Sequence, residues 1–226
     1  GVITSIGDTK KIPDKKIKEI IEVSNIAKLS SKIIKFMNWV ADYNLIDRGY
    51  VLKMILAQEK VYFSKRTSKN IEVYKNSQPQ PIVLNSEQDE AVNAIIKLVK
   101  KDDYITLLLD GIPGSGKTEV YFKVLQNKFF LNSQILILFP EVSLSNEFVR
   151  RIEDRFGFSP EIWHSKITAS QKKKILKRII SGEAKIIVGA RSALFLPYNN
   201  LGMIIIDEEH DSSFKQEEKG IYHARD

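Results

Sequence analysis

Residues 111–118 read Gly-Ile-Pro-Gly-Ser-Gly-Lys-Thr, and that spacing fits the phosphate-binding pattern G-x-x-x-x-G-K-[ST]. The chemistry follows from the residue types. Gly111, Gly114 and Gly116, with Ser115 between them, let backbone N–H groups turn inward around an anion. A helix starting after the loop points its positive dipole end at the same anion. In this pattern Lys117 reaches the β- and γ-phosphates and the Thr118 hydroxyl holds Mg²⁺.

A second set of residues complements the first. Met203-Ile-Ile-Ile206 is an apolar run that ends in Asp207-Glu208-Glu209-His210. Asp207 at the carboxyl end of such a strand suits Mg²⁺, directly or through water. Glu208 beside it suits the polarisation of an attacking water.

These residues need a frame that brings them together. Ile105–Leu109 reads as a buried strand before the loop, and a helix is expected from Glu119 onward. Further strands are expected at Ile135–Phe139, Lys185–Val188 and Met203–Ile206. Helices are expected over Glu87–Lys100, capped by Asn85 or Ser86, over about Leu144–Phe156 and over Ser170–Ile180. Lys172, Lys173, Lys174, Lys177 and Arg178 fall on the outer side of the last one. Strands alternating with helices predict an α/β fold, a parallel sheet covered on both faces. Ligands then sit at the carboxyl ends of the strands.

Residues 1–60 read differently, as mainly helical. Ile17, Ile20, Ile21 and Ser24 share a helical face after Pro13 and Asp14. Ser31 is placed to cap a helix carrying Ile33, Ile34, Met37 and Val40. Gly49 breaks the pattern, and a short helix is expected from Tyr50 to Ala57. Val61–Phe63 and Ile71–Tyr74 are short strand candidates. Pro79 and Pro81 mark an extended linker, so 61–83 separates the two parts.

The 226 residues suit one domain plus a smaller one, and 43% hydrophobic content suits a packed core. There is no cysteine, which excludes disulfides and cysteine-based zinc sites within the chain. No apolar run reaches the roughly 18 residues of a membrane span, and no signal-peptide pattern opens the chain. A formal net charge of +7 favours an anionic partner, nucleic acid above all. The start without methionine suggests a piece of a longer chain.

At 207–210 the chain resembles the DExH box of superfamily 2 helicases. Gly189-Ala-Arg-Ser-Ala-Leu-Phe195, the stretch Asn200–Glu218 and Tyr222-His-Ala-Arg-Asp226 are similar to the PriA family of primosomal helicases. Asp110–Tyr121 resembles that family's phosphate loop, Pro140–Leu144 its next motif, and Trp39–Tyr43 its N-terminal DNA-binding region. The resemblance covers most of 1–60 and nearly all of 84–226.

It implies a RecA-like phosphate-loop NTPase lobe over 84–226, incomplete at its C-terminus, after a partial DNA-binding domain over 1–60. It implies an ATP-dependent 3′→5′ DNA helicase of primosome assembly and replication restart, cytoplasmic, with ATP and Mg²⁺ as cofactors. Single-stranded or branched DNA is the implied partner, together with primosomal proteins and single-strand-binding protein, and no membrane. Gln88 takes the position of an adenine-reading residue. Its amide both donates and accepts, which suits the adenine edge.

Arg191 and Ser192 fall in a segment resembling a DNA-contacting motif. His164 lies in a His-Ser pair the family shares, and His210 is expected to relay nucleotide state toward DNA. Phe214, Lys215, Gln216, Tyr222, His223 and Arg225 resemble a DNA-sensing loop, with rings to stack on unpaired bases and cations to hold the backbone. The plainer alternative is an exposed polar turn whose two aromatics pack inward. Likewise, the lysines at 172–174 are most simply a solvated helix face.

Three family features are missing: the Ser-Ala-Thr motif with the whole second lobe, the zinc-binding cysteine cluster of the full-length family, and a winged-helix domain, for which the roughly 25 residues before Leu84 are too few. The expectation is a fragment that binds nucleotide weakly and does not unwind DNA alone. Another superfamily 2 DNA or RNA translocase, and a catalytically inert DNA-binding remnant, are the alternatives.

Overall fold

The computed structural model describes residues 18–20, 23, 29–56, 81, 83–99, 104–127, 132–140, 146–217 and 220–226. The strand candidates at 61–63 and 71–74, Pro79, Glu141, and Ile17, Ile21 and Ser24 lie outside the described residues. In chain order the helices are α1 (Ser31–Tyr43), α2 (Arg48–Ile55), α3 (Ser86–Val99), α4 (Lys117–Leu125), α5 (Asn146–Phe156) and α6 (Ala169–Ser181). The strands are β1 (Gln134–Leu138), β2 (Glu161–Trp163), β3 (Ile186–Gly189), β4 (Leu201–Ile206), β5 (Lys215–Gln216) and β6 (Tyr222–His223). Short 3₁₀ turns cover Arg191–Phe195 and Ser212–Phe214.

Four strands form a parallel sheet in the order β2-β3-β1-β4. Leu138 pairs with Gly189 on one side and with Ile206 on the other. That register lines up the carboxyl ends of β1, β3 and β4. β1 is buried at every residue, as a strand covered on both faces should be. Its alternate residues feed two cores. Ile135 and Ile137 pack with Phe122, Val124, Phe148 and Ile152 from α4 and α5. Leu136 and Leu138 pack with Leu176 and Ile179 of α6 and with Trp163. Each such side chain contributes about 2 kcal/mol on burial.

Local chemistry sets the helix ends. Thr168 and Gln171 form a capping box at the start of α6, and Gly182 closes it in the left-handed conformation. Ile175, Leu176 and Ile179 form its buried stripe. The lysines on this helix are half-buried rather than simply solvated: Lys172 Nζ lies 5.9 Å from the centre of the Trp163 ring. Arg178 pairs with Glu161, tying α6 to β2.

In the N-terminal part, Ser30 rather than Ser31 caps α1, accepting from Ile33 N. Asp47 caps α2, accepting from Gly49 N at 2.6 Å. Gly49 therefore lies inside the first turn of α2 and does not interrupt it. A Cβ there would meet Asp47 Oδ1 at 2.8 Å, so the glycine serves the cap. Met37, Val40, Val51 and Ile55 form a third cluster with Phe195 and Tyr222, which seats these helices on the lobe.

The strand expected at 105–109 does not form. Residues 104–110 are not a sheet strand. Leu108 is 82% exposed and Leu107 41%, while Leu109 packs against the α3–α4 core. Among the described residues no strand pairs with them, and β4 ends the sheet with Ile204 exposed. An apolar run becomes a buried strand only if an edge receives it, and that is a nonlocal condition.

Gln134 is a buried polar side chain of the core, 1% exposed. Its Nε2 donates to Ile179 O (3.1 Å) and Ala184 O (3.0 Å), and its Oε1 accepts from Asn199 N (2.7 Å) and Asn200 N (3.1 Å). One side chain thus joins the end of α6 to the turn before β4. Gln134→Leu keeps the volume but strands those groups, and should lower unfolding free energy by roughly 3 kcal/mol, measured by urea denaturation.

Candidate functional site

The loop at 111–118 opens directly into α4. Gly116 is the N-cap at φ 82°, and Gly114 also lies in the left-handed region at φ 80°. Both conformations favour glycine. Gly116 has a second reason to lack a side chain, because a Cβ would approach Gln88 Nε2 to 2.3 Å. Glu119 N and Val120 N donate to Gly116 O at 2.9 and 3.2 Å, so only the N–H groups ahead of them in the first turn lack an intrahelical partner. Lys117 Nζ donates to Gly111 O and to Ile112 O (3.3 Å), which holds the ammonium over the loop.

Gln88 sits at the start of α3 and braces this loop. Its Nε2 donates to Ser115 O at 2.9 Å. Asn85 and Gln88 cap one another: Gln88 Oε1 accepts from Asn85 N (3.0 Å), and Asn85 Oδ1 from Gln88 N (2.9 Å). The amide retains a second proton and a second lone pair.

The acids lie at the far end of β4. Asp207 N extends the ladder by donating to Leu138 O at 3.0 Å, so the carboxylate emerges at the carboxyl edge of the sheet. Asp207 Oδ1 accepts from Glu208 N (3.0 Å), and Oδ2 accepts from the Tyr121 hydroxyl (3.0 Å). Glu208 has φ 52°, a left-handed conformation in a non-glycine residue. Such backbones cost about 1–2 kcal/mol and cluster at functional sites. Glu208 and His210 are exposed. Glu209 pairs with Arg225 at 3.0 Å.

The Tyr121–Asp207 hydrogen bond joins the two halves of the site, and sequence reasoning missed its significance. Tyr121 lies three residues after Thr118 on the same helix face. That i, i+3 spacing was the available signal. The ring is 7% exposed and stands edge-on to Phe122 at 5.2 Å. Burial, together with the neighbouring Asp207 carboxylate, raises the phenol well above the usual tyrosine range, so the hydroxyl keeps its proton.

The expected DNA-contacting residues divide. Phe214 and Tyr222 do not present free rings: they are 1% and 5% exposed. Phe214 packs with Leu176 and Ile187 in the sheet core, and Tyr222 stands edge-on to Phe195 at 5.1 Å. Their apolar surface is used by the core, which corrects the expectation of base stacking in favour of the inward-packed alternative. Burial also pushes the Tyr222 phenol up to about 12. Arg191 donates to Ser213 O (2.9 Å) and Lys215 O, with its guanidinium 5.6 Å from the Tyr222 ring centre. It fastens the 3₁₀ turn after β3 to the loop after β4. Arg225 is engaged by Glu209. Ser192 and Lys215 are exposed, Lys215 lying 3.4 Å from Glu217. His164 Nδ1 accepts from Lys166 N at 3.2 Å, a local turn contact.

The DEAD/DEAH box helicase profile matches residues 85–225, and the profile of a 3′ DNA-binding domain found in PriA matches residues 1–57. The chain is 39% identical over 217 residues to the replication restart protein PriA of Rickettsia typhi, covering 94% of this chain and 32% of that protein. It is 38% identical over 182 residues to PriA of Bacillus subtilis, covering 80% of this chain and 22% of that protein. PriA of Chlamydia pneumoniae is 40% identical over 149 residues. The chain thus spans about a third or less of the length of these curated relatives. Among the described residues no helix is long and apolar enough to cross a membrane. With a helicase profile over most of its length, preceded by the 3′ DNA-binding domain, the chain belongs to the DEAD/DEAH box helicase family, on its PriA branch.

Proposed function

We propose that this chain supplies the ATP-binding lobe, and part of the DNA-binding surface, of a 3′→5′ DNA helicase acting in replication restart. The observation that carries the reading is that α4, the helix the loop opens into, is joined to the carboxylate at the end of β4 by one hydrogen bond, Tyr121 to Asp207. The loop N–H groups, with Gly111, Gly114, Ser115 and Gly116, would cradle the phosphates and Lys117 would neutralise them. The braced Gln88 retains capacity to read adenine.

The donor set suits Mg²⁺, a hard ion that takes one or two protein oxygens and fills its shell with phosphate and water. Thr118 and Asp207 offer such oxygens. Among the described residues no cluster of three or more His, Cys, Asp or Glu side chains is arranged to hold a metal alone. When bound, the ion would neutralise charge developing on the phosphates. Glu208 would accept the proton of the attacking water, and its position is fixed by the turn it opens: Asp211 N donates to Glu208 O at 2.9 Å. His210 on that turn would pass the nucleotide state to the following loop, where Arg191 holds two backbone carbonyls. Among the described cations of the loop, Lys215 and Arg225 are both exposed, each beside a carboxylate, and either would meet DNA phosphate. Single-strand-binding protein and primosomal proteins follow from the family as partners, and a cytoplasmic location follows from replication.

Four variants test this. ATP binding by calorimetry should fall at least tenfold in Lys117→Ala. Glu208→Gln should keep that binding while slowing hydrolysis about 100-fold; unchanged affinity and turnover in both variants would mark an inert site. Gly116→Ala, strained at φ 82° and pressed against Gln88, should weaken ATP about tenfold. Lys215→Ala should weaken single-stranded DNA several-fold and lower the salt slope of binding by about 1.

A further inference from the structure

The phenol of Tyr121 occupies a place that neither the phosphate-loop pattern nor the acidic box assigns. It is held on α4, one helical turn after Thr118, and its hydroxyl donates to Asp207 Oδ2 at 3.0 Å. Thr118 and Asp207 are the two oxygen donors suited to Mg²⁺, and they come from elements far apart in sequence. Asp207 Oδ1 is separately fixed by Glu208 N at 3.0 Å. With one oxygen tied to its own turn and the other to α4, the carboxylate has one orientation. Each oxygen keeps a second lone pair for a cation or its water. The ring cannot swing away without opening the core: it is 7% exposed and packs against Phe122, itself fully buried.

We propose that Tyr121 is a positioning residue for the magnesium-nucleotide site, setting the Asp207 carboxylate opposite Thr118 so that the metal meets a preformed pair of oxygens. This rests on the nucleotide reading above. Free ATP would be held by the backbone N–H groups of the loop and by Lys117, whose ammonium bonds Gly111 O and Ile112 O rather than Tyr121. The metal-dependent part of the affinity requires Asp207 to be correctly aimed. The phenol hydroxyl should therefore matter to Mg²⁺ and not to ATP alone.

The test compares the chain with its Tyr121→Phe variant. The ring is kept, so the melting temperature should stay within a few degrees. ATP is titrated calorimetrically once in EDTA and once across a Mg²⁺ series. The expected result is an EDTA affinity within twofold of the parent and a Mg²⁺ half-saturation raised about tenfold, the scale of one hydrogen bond to a charged group. Asp207→Asn should lose the Mg²⁺-dependent gain, and adding Tyr121→Phe to it should change little further. A parental Mg²⁺ response in Tyr121→Phe, or a strengthened one showing that the phenol competes with the ion, overturns the proposal. Equal losses in EDTA and in Mg²⁺ also overturn it, because they mark a merely structural role. The parent reading fails separately, if Lys117→Ala leaves ATP affinity in EDTA unchanged or if the chain binds no ATP.

Discussion

The parallel register of β1 against β3 and β4 is the constraint on which the rest depends. Pairing Leu138 with Gly189 and Ile206 brings three strand ends to one edge. Parallel strands cannot be joined by tight turns, so each connection must cross a face of the sheet, and the helices that make those crossings cover both sides of β1. Burial of β1 in turn fixes the register, because a one-residue slip would exchange the side chains feeding the two cores. Asp207 then emerges at the edge where α4 begins, and a single buried phenol spans the gap.

Much of this was legible in the sequence, and the exceptions have physical causes. The loop, α4, β1, β4 and the acids were readable because their signals are local: glycine spacing, apolar runs and charge at a strand end. The helix boundaries moved by one or two residues, as with Ser86–Val99 and Asn146–Phe156. The strand at Glu161–Trp163 was not expected, since three residues carry little periodicity. Ile105–Leu109 carried the composition of a strand without an edge to join. Phe214 and Tyr222 show the limit in another way: residue type gives an aromatic ring two uses, stacking on bases or filling a core, and tertiary packing decides between them. Gln134 and Tyr121 were invisible as hubs because their partners lie far away in sequence.

The loop after β4 has more than one attachment. Arg191 grips its backbone from the 3₁₀ turn after β3, Glu209 holds Arg225, and Tyr222 carries it onto Phe195 and the α1–α2 cluster. Gln216 Nε2 donates to Gly220 O at 3.1 Å and lies 3.4 Å from the Tyr50 hydroxyl of α2. The turn bearing Glu208 and His210 is therefore continuous, through packed side chains, with the helices matched by the 3′ DNA-binding domain. That continuity is a physical route between the two parts.

On the proposed reading, residues 111–118 and Asp207 form one nucleotide site. Amide hydrogen exchange, followed by mass spectrometry with ATP in EDTA and then with Mg²⁺-ATP, reads both halves at once. A single site predicts protection of the 111–118 peptides with ATP alone, extending to 204–210 when Mg²⁺ is added. Protection of the loop with no Mg²⁺-dependent change at 204–210 would contradict it.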